Sequence, residues 1–482
     1  MNGDIPRHPH PTAATQDDYP REACGIVGIY SEGEDVARYA FFGLYALQHR
    51  GQESAGIASS TGDDINLKVS MGLVGQAFQE EDIAQLPGHI AIGHTRYSTT
   101  GGSIIDNAQP ICSVSTAVNL ALAHNGNVIN AVELKEELSL WGLEFHGSND
   151  SEIIAHMLAN APGLNWRDRI AYCMRRLQGA YSLTVMTPTE LIGLRDPLGV
   201  RPLCIGKLSN GWVLASESCA FDHIGAEFIR DVEPGEAVLI DKDGLRTIYR
   251  RPPDNGMLSA GCVFEYIYFA RPDSTIEGKL VHSARAAMGA ALSKEYPIDA
   301  DLVIGVPDSA TAAAVGYSQA SGIPYAEGLV KNRYVGRTFI QPDQQLRDLG
   351  VRLKLNVLPE IIGGKRIVVV DDSIVRGTTT PHVVNLLRRG GAREVHLRIC
   401  APPIVSTCHF GVDMATKPEL IAANMTVDDI CDYVGADSLG FLSREGLVDS
   451  VGLQRNALCM ACFTGEYPIP VQLEMDKLAL EA

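Results

Sequence analysis

Two rhythms of apolar and polar positions divide the chain. Between residue 25 and about residue 249, short apolar runs close on Gly-rich turns. GIVGIY, INLKVS, HIAIGHTR, AVNLALAHNG, SLTVMTP, ELIGLRD, WVLASE and AVLIDKDG each join β-branched or apolar residues to a turn signal and are predicted strands. Helical spacing falls between them, at 36–48 and 151–159. Strand runs with intervening helices predict sheets covered by helices. RRPPDNG (250–256) punctuates the chain as a linker. Beyond it the runs lose their polar alternation: DLVIGV leads into ATAAAVGYSQASG, and KRIVVV into TTPHVVNLLRRGG. Such runs suit parallel strands buried on both faces, so the second half is predicted as an open α/β sheet with ligands at its carboxyl edge.

Length and composition sharpen this picture. A chain of 482 residues suggests about two domains. At 45% hydrophobic and 20% charged residues it reads as a folded soluble protein, and no stretch of about 18 uncharged apolar residues marks a membrane span. The net charge of -18 argues against broad nucleic-acid or anionic-membrane binding, while leaving room for a local basic site for a phosphorylated small molecule. The 11 cysteines are too few and scattered for a disulfide framework. Residues 1–23 lack the apolar core of a secretory signal and read as a disordered, removable leader. A reducing cytoplasm is the expected location.

Candidate chemistry begins at Cys24. A cysteine attacks as its thiolate, and a free thiol with a pKa of about 8.5 needs a proton acceptor at neutral pH. An N-terminal α-amine, with a pKa of about 7.7–8.0, can serve if removal of the leader after Ala23 makes Cys24 the first residue. Taken alone, Cys24 is a buried structural cysteine. Four segments change that reading: LQHRGQESAGI (47–57), GHTRYSTTG (93–101), AHNGNVIN (123–130) and NDSE (149–152). Arg50 and Arg96 can hold a carboxylate, Asp150 an ammonium group, and the Asn125 side chain with the Gly126 N–H can form an oxyanion hole. An amino acid with an amide side chain, glutamine, fits that set. Singly, the three charged residues read equally well as structural ion pairs, and Asn125–Gly126 as a hairpin turn.

CGIVGIY, LQHRGQESAG, HTRYST and HNGNVIN resemble the glutaminase domain of the N-terminal-nucleophile amidotransferases. The resemblance implies a four-layer αββα fold. It also implies Cys24 as nucleophile, Asn125 and Gly126 as oxyanion stabilisers, and Arg50, Arg96 and Asp150 as glutamine contacts.

The acceptor is written in KRIVVVDDSIVRGTTT (365–380). A buried strand delivers Asp371 and Asp372 to its carboxyl end, where they can bind ribose hydroxyls directly or through a divalent ion. The loop that follows, with Arg376, Gly377, Thr378, Thr379 and Thr380, offers N–H groups and hydroxyls to a phosphate at a helix start. No GxxxxGK[ST] pattern is present, which separates it from a Walker loop. LVIGVPDSATAAA (302–314) sets Pro307, Asp308 and Ser309 at the matching position, either as a second loop facing the pyrophosphate or as a helix-capping turn. KNRYVGRTFIQPDQQLR (331–347) is unusually basic for this chain. Its Lys331, Arg333 and Arg337 can close over a pyrophosphate as a lid, the alternative being a solvated loop.

These segments resemble type I phosphoribosyltransferases. With the glutaminase segments and YIYFARPDS (266–274), which follows Cys262 as a predicted strand, the chain is similar to the glutamine phosphoribosylpyrophosphate amidotransferase family from residue 24 to about 467. The resemblance implies a leader at 1–23, a glutaminase domain at 24–255, an α/β type I phosphoribosyltransferase domain at 256–440 and a C-terminal segment at 441–482. It implies that ammonia from glutamine reaches a second site without entering solvent and displaces pyrophosphate from phosphoribosyl pyrophosphate, the first step of de novo purine synthesis. One Mg²⁺ per subunit, held by Ser309, Asp371 and Asp372, is implied as well. So are inhibition by purine nucleotides and a homo-oligomer, a tetramer or dimer.

CMACF (459–463) is a Cys-x-x-Cys pair, ambiguous between zinc, redox and iron–sulfur roles. In one branch of the family, cysteines matching Cys262, Cys408, Cys459 and Cys462 hold one [4Fe–4S] cluster per subunit. Zinc and unligated thiols are the alternatives. Two other functions compete with this reading. A sugar-phosphate or asparagine synthetase would need a different acceptor site from VVVDDSIVRGTTT. A phosphoribosyl-fold regulator that binds DNA would carry a basic helix-turn-helix segment ahead of the fold.

Overall fold

The structure is a computed structural model of the 482-residue chain. It describes residues 24–97, 101–115, 118–251, 259–332, 355–412, 414, 416–471 and 480. The leader at 1–23, most of the 250–256 linker, and the basic segment from Arg333 through Arg337 lie outside the described residues.

The chain divides into two compact units, one formed by residues 21–285, 408–414 and 448–482. Its strands are β1 (Gly25–Ser31), β2 (Ser54–Ser60), β3 (Ile65–Met71), β4 (Ile90–Arg96), β5 (Ile111–Val114), β6 (Asn119–Val128), β7 (Gly179–Met186), β8 (Leu191–Arg195), β9 (Cys204–Leu208), β10 (Gly211–Ala215), β11 (Glu227–Asp231), β12 (Glu236–Asp241) and β13 (Gly244–Arg250). One antiparallel sheet runs β11-β9-β10-β1-β4-β2-β3 and a second runs β13-β12-β8-β7-β6-β5.

Three apolar layers hold these sheets. Ile26, Ala58 and Ile92 of the first sheet meet Ala121, Met186, Val238 and Ile240 of the second. The outer face of the first sheet packs on helices Val36–Ala46 and Cys219–Ile224 through Val27, Ala40, Leu44 and Phe221. The outer face of the second packs on helices Ala131–Leu140, Asp150–Asn160 and Trp166–Arg176 through Leu134, Ile154, Leu158 and Met174. The result is the expected four-layer helix–sheet–sheet–helix fold. All eight predicted strand runs fall on strands; most are buried against two layers and so apolar along their length, while β3 is a half-exposed edge strand.

One local expectation fails. YIYFARPDS (266–274) is expected to be a strand; Glu265–Phe269 instead forms a wide helical turn closed by the Ala270 N–H on the Glu265 carbonyl at 3.1 Å. Its aromatic and β-branched content favours strands, but Glu265, Tyr266, Ile267 and Phe269 are all buried, and packing on several sides overrides propensity. The turn groups with the first unit because Glu265 pairs with Arg50 and Arg201, and Arg285 donates to the Tyr266 and Ala270 carbonyls.

The second unit is built on residues 286–407 and 415–447. Its sheet is parallel throughout, in the order Leu302–Gly305, Arg366–Asp371, Glu394–Ile399, Ser438–Phe441. Helices Thr311–Ser321 and Thr380–Arg389 follow the first two of these strands, as the apolar runs predicted. This is the open α/β sheet expected of a phosphoribosyltransferase.

Candidate functional site

In the first unit the four-layer fold opens a small cleft lined by Cys24, Arg96, Tyr97, Gln109, His124, Gly126, Asn149, Asp150 and Ser151. Four of the six residues assigned to glutamine chemistry line it: Cys24, Arg96, Gly126 and Asp150. Cys24 directly precedes β1, and its thiol lies 3.3 Å from the Tyr97 carbonyl oxygen just past the end of β4. Burial pushes that thiol up to about 11, against the smaller opposing effects of the Tyr97 hydrogen bond and Arg96.

Asp150 begins the helix Asp150–Asn160, whose preceding residue Asn149 caps it by accepting the Glu152 N–H at 2.9 Å. The Asp150 carboxylate accepts the Val128 N–H at 2.8 Å. Burial raises its pKa, but His124 and the backbone N–H groups outweigh that and hold it below the usual carboxylate range.

Backbone direction places the Gly126 N–H. The His124 N–H points to Gln109 Oε1 at 2.8 Å and the Val128 N–H to Asp150, so both leave β6 along one edge. Alternate N–H groups of a strand point the same way. The Gly126 N–H therefore faces that edge, between Gln109 and Asp150, where the cleft lies. Asn125 is fully buried, and neither its Oδ1 nor its Nδ2 has a hydrogen-bond partner. A side-chain amide left unsatisfied in the interior is costly, and Asn125 itself does not line the cleft.

Arg96 donates to the Gly102 carbonyl at 3.1 Å and lies 3.5 Å from Glu53, with its side chain 3% exposed. Arg50 requires a correction. It is fully buried, and its guanidinium is ion-paired to the buried carboxylates Glu217 and Glu265 rather than lining the cleft. Two carboxylates already neutralise it, so it is a structural cation in this arrangement. Sequence reasoning had not singled out Gln109, which donates to Ser151 Oγ at 2.9 Å while accepting from His124, and so ties the strand to the Asp150 helix. Its context, NAQP, carries no signal of that role.

In the second unit, the loops after strands Leu302–Gly305 and Arg366–Asp371 leave the carboxyl edge of adjacent strands. The structure brings their residues together: Ser309 Oγ donates to Asp372 Oδ2 at 2.6 Å, and Ser373 Oγ donates to Asp372 Oδ1 at 2.7 Å. The Asp372 N–H is bonded to Asp371 Oδ1 at 2.9 Å. Asp371 and Asp372 are both buried. Pro307 is half-buried and Asp308 exposed, with Lys331 paired to Asp308 at 3.1 Å. Arg376 lies 3.5 Å from Glu419. Gly377 has φ +71, and a Cβ there would stand 2.4 Å from Ile421, so the loop needs glycine. Thr378 is exposed, Thr379 precedes the helix, and Thr380 opens it. Arg333 and Arg337 lie outside the described residues.

The four candidate cluster cysteines all belong to the first unit. Cys262 and Cys459 are register partners in a two-residue parallel ladder, and Cys462 follows one turn later. Cys462 interacts electrostatically with Cys459, Cys262 and Cys408. Leu198, Val200, Ala260 and Phe410 form an apolar shell against three of them. The Phe410 N–H is 3.3 Å from the Cys408 sulfur. Arg201, fully buried, interacts electrostatically with Cys262 and Cys408, and its Nη2 has no hydrogen-bond partner. Among the described residues, no three His, Cys, Asp or Glu side chains are grouped to hold a single metal ion.

Comparison with known proteins adds an independent line. Residues 94–223 match the glutamine amidotransferase domain family. A protein of Synechococcus elongatus named amidophosphoribosyltransferase is 52% identical over 473 residues, covering 96% of this chain and 95% of the relative. One of Methanocaldococcus jannaschii with the same name is 49% identical, covering 94% of this chain and 98% of the relative. Among solved structures, the glutamine phosphoribosylpyrophosphate amidotransferase of B. subtilis complexed with ADP and GMP is 44% identical with a TM-score of 0.88, covering 94% of this chain and 99% of that one.

Proposed function

The chain belongs to the amidophosphoribosyltransferases, and on that premise we propose how its residues divide the work. The enzyme moves the amide nitrogen of glutamine to C1 of 5-phosphoribosyl 1-pyrophosphate. Glutamate, pyrophosphate and 5-phosphoribosylamine result, in the first step of purine synthesis. The observation that carries the division of labour is that one chain holds both a buried nucleophile cleft at Cys24 and a phosphoribosyl-type strand end at Asp371–Asp372.

At the first site Arg96 takes the carboxylate of glutamine and Asp150 its ammonium group. Cys24 gives its proton to its own α-amine, freed by cleavage after Ala23, and its sulfur attacks the amide carbon. The Gly126 N–H and the Asn125 amide take the developing oxyanion, each donor worth about 2.7–4 kcal/mol. The α-ammonium returns that proton to the amide nitrogen, which leaves as ammonia as the C–N bond breaks, and water then releases glutamate from the sulfur.

At the second site ammonia forms the new bond to C1 while the bond to the pyrophosphate oxygen breaks. Asp371 and Asp372 hold the ribose side of the substrate. Arg376, Gly377, Thr378, Thr379 and Thr380 cradle its 5-phosphate at a helix start. Pro307, Asp308, Ser309 and Lys331 are assigned to the pyrophosphate, as are Arg333 and Arg337 from the sequence alone. Carboxylate and hydroxyl oxygens at Asp371, Asp372 and Ser309 suit Mg²⁺, which supplies charge neutralisation of the departing pyrophosphate. Asp371, Asp372 and Ser309 are the residues that would hold the ion.

Four thiols, Cys462 buried and the other three half-buried against an apolar shell, beside an unsatisfied Arg201 Nη2 fit a [4Fe–4S] cluster, whose net negative charge that guanidinium would offset. Its contribution is structural cross-linking of Cys262, Cys408, Cys459 and Cys462. We place the enzyme in the cytoplasm, as a homo-oligomer restrained by purine nucleotides, in keeping with the ADP and GMP bound to its B. subtilis relative.

The test is pyrophosphate release that needs both glutamine and phosphoribosyl pyrophosphate, measured on anaerobically purified protein with iron and sulfide analysis. Absence of release would sink the division of labour. Stoichiometric zinc without iron would sink the cluster.

A further inference from the structure

The donor strand of the glutamine site is supported from an unexpected part of the chain. The end of β6 that carries Asn125, Gly126 and Asn127 pairs with β7 at Ser182, Tyr181 and Ala180. On its other side β5 reaches only as far as Leu122. The oxyanion end of β6 thus has a ladder on one side and the cleft on the other. The β7 ladder holds the Asn125–Gly126 and Gly126–Asn127 peptides from one side only.

The segment Cys408–Met414 supplies the missing restraint, which accounts for its grouping with the first unit. Asn127 Nδ2 donates to the His409 carbonyl at 3.0 Å, across 282 positions of sequence. Gly411 lies so close that a Cβ on it would stand 2.8 Å from the Gly126 carbonyl carbon and 3.0 Å from its oxygen. Phe410 packs in one apolar cluster with Ala180, the register partner of Asn127. The segment is itself held, because Arg201 Nε donates to the Phe410 carbonyl at 3.0 Å. Arg201 is fully buried and lies 3.3 Å from Glu265, so its guanidinium is a fixed anchor.

We propose that residues 409–411 are the backing of the oxyanion hole and that Asn127 is the positioning residue that fastens it. Asn127 acts through the Gly126 peptide rather than on the substrate. Removing its amide donor frees the His409 carbonyl, lets the 409–411 segment move off Gly126, and lets the Gly126 N–H swing away from the tetrahedral oxygen. Substrate contacts at Arg96 and Asp150 are untouched, so the defect falls on the chemical step. The inference rests on the reading of Cys24, Asn125 and Gly126 as the glutaminase machinery.

The parent enzyme is assayed first. Glutamine hydrolysis by the parent is the premise, and its absence would fail that reading rather than the role of Asn127. Asn127→Leu then removes the donor at nearly constant shape. The expected result is a fall of about tenfold to a hundredfold in kcat for glutamine, the order that a small misplacement of a reacting group brings. KM for glutamine should stay within about twofold and ammonia-dependent synthesis should be preserved. Asn127→Gln, which restores an amide donor, should recover part of the lost kcat. Should the leucine variant fail to fold, Asn127→Ala is read by the same criteria. A folded variant with unchanged kcat, a loss carried by KM, or an equal loss with free ammonia would each overturn the proposal.

Discussion

Cys24 and Tyr97 are joined in both directions: the thiol lies 3.3 Å from the Tyr97 carbonyl oxygen, and the Tyr97 N–H lies 3.5 Å from the sulfur. The pair fixes Cys24 where β1 begins and β4 ends, in the cleft with Gly126, Asp150 and Ser151. A sulfur held at this buried position, with its pKa pushed up to about 11, has almost no thiolate at neutral pH.

That deficit yields the first prediction. A proton acceptor has to stand beside Cys24, and the α-amine of a processed chain is the group with the right pKa. A cleavage-blocked variant that keeps residues 1–23, confirmed by mass spectrometry, should hydrolyse glutamine about a hundredfold or more slowly, the usual contribution of a general base. Cys24→Ser should abolish glutamine use. Both variants should still release pyrophosphate with free ammonia, because the second site has its own residues. Full glutamine turnover by the unprocessed chain would remove the amine from the mechanism.

The second prediction concerns Ser309 and Asp372, joined at 2.6 Å. Replacing Asp371 or Asp372 by Asn removes a buried anion from the strand end. Pyrophosphate release should fall about a hundredfold or more with glutamine and with ammonia alike. Ser309→Ala loses one hydrogen bond to a charged group, worth about 1.5–3 kcal/mol. It should raise the Mg²⁺ concentration needed for half-maximal rate and leave glutamine binding unchanged. An Asn variant at either aspartate with the parent rate would exclude that residue from the site.

Most strands and the parallel second sheet were legible in the sequence because burial on two faces writes itself as an apolar run; the edge strand β3 was legible from its alternating apolar positions. The placement of Cys24 and Asp150 in one cleft, and of Asp371 and Asp372 at a strand end, was legible because polar residues crowd beside glycine turns. What was hidden depends on partners remote in sequence. Arg50 read as a substrate contact because its two counter-charges, Glu217 and Glu265, stand 167 and 215 positions away. The strand β2, SAGIASS, is buried along all seven residues yet is made of small side chains with little strand propensity. The EYIYF turn misled in the opposite sense, with strand-forming residues bent into a helix by packing. Gln109 and Asn127 gained their roles only when loops far apart in the chain came to lie against β6.

His94 provides the last prediction, a pH dependence of stability. Its Nε2 donates to the His124 carbonyl at 3.0 Å, and its buried Nδ1 has no hydrogen-bond partner. Burial, followed by the nearby Arg96 charge, outweighs the His124 carbonyl and pushes the imidazole down to about 3. The unfolded chain titrates at about 6.5. Above that pH neither state carries the proton, and the full stability is present. As pH falls below about 6.5 the unfolded chain binds a proton that the folded one refuses, so stability drops by about 1.4 kcal/mol per pH unit until the folded pKa is reached. His94→Gln can keep a donor for the His124 carbonyl and removes the titration. Urea unfolding midpoints of the two proteins between pH 7.5 and 4.5, followed by a probe in the glutaminase unit, should therefore diverge on the acid side, the parent falling faster. Parallel curves across that range would mean that His94 is not held neutral by the fold.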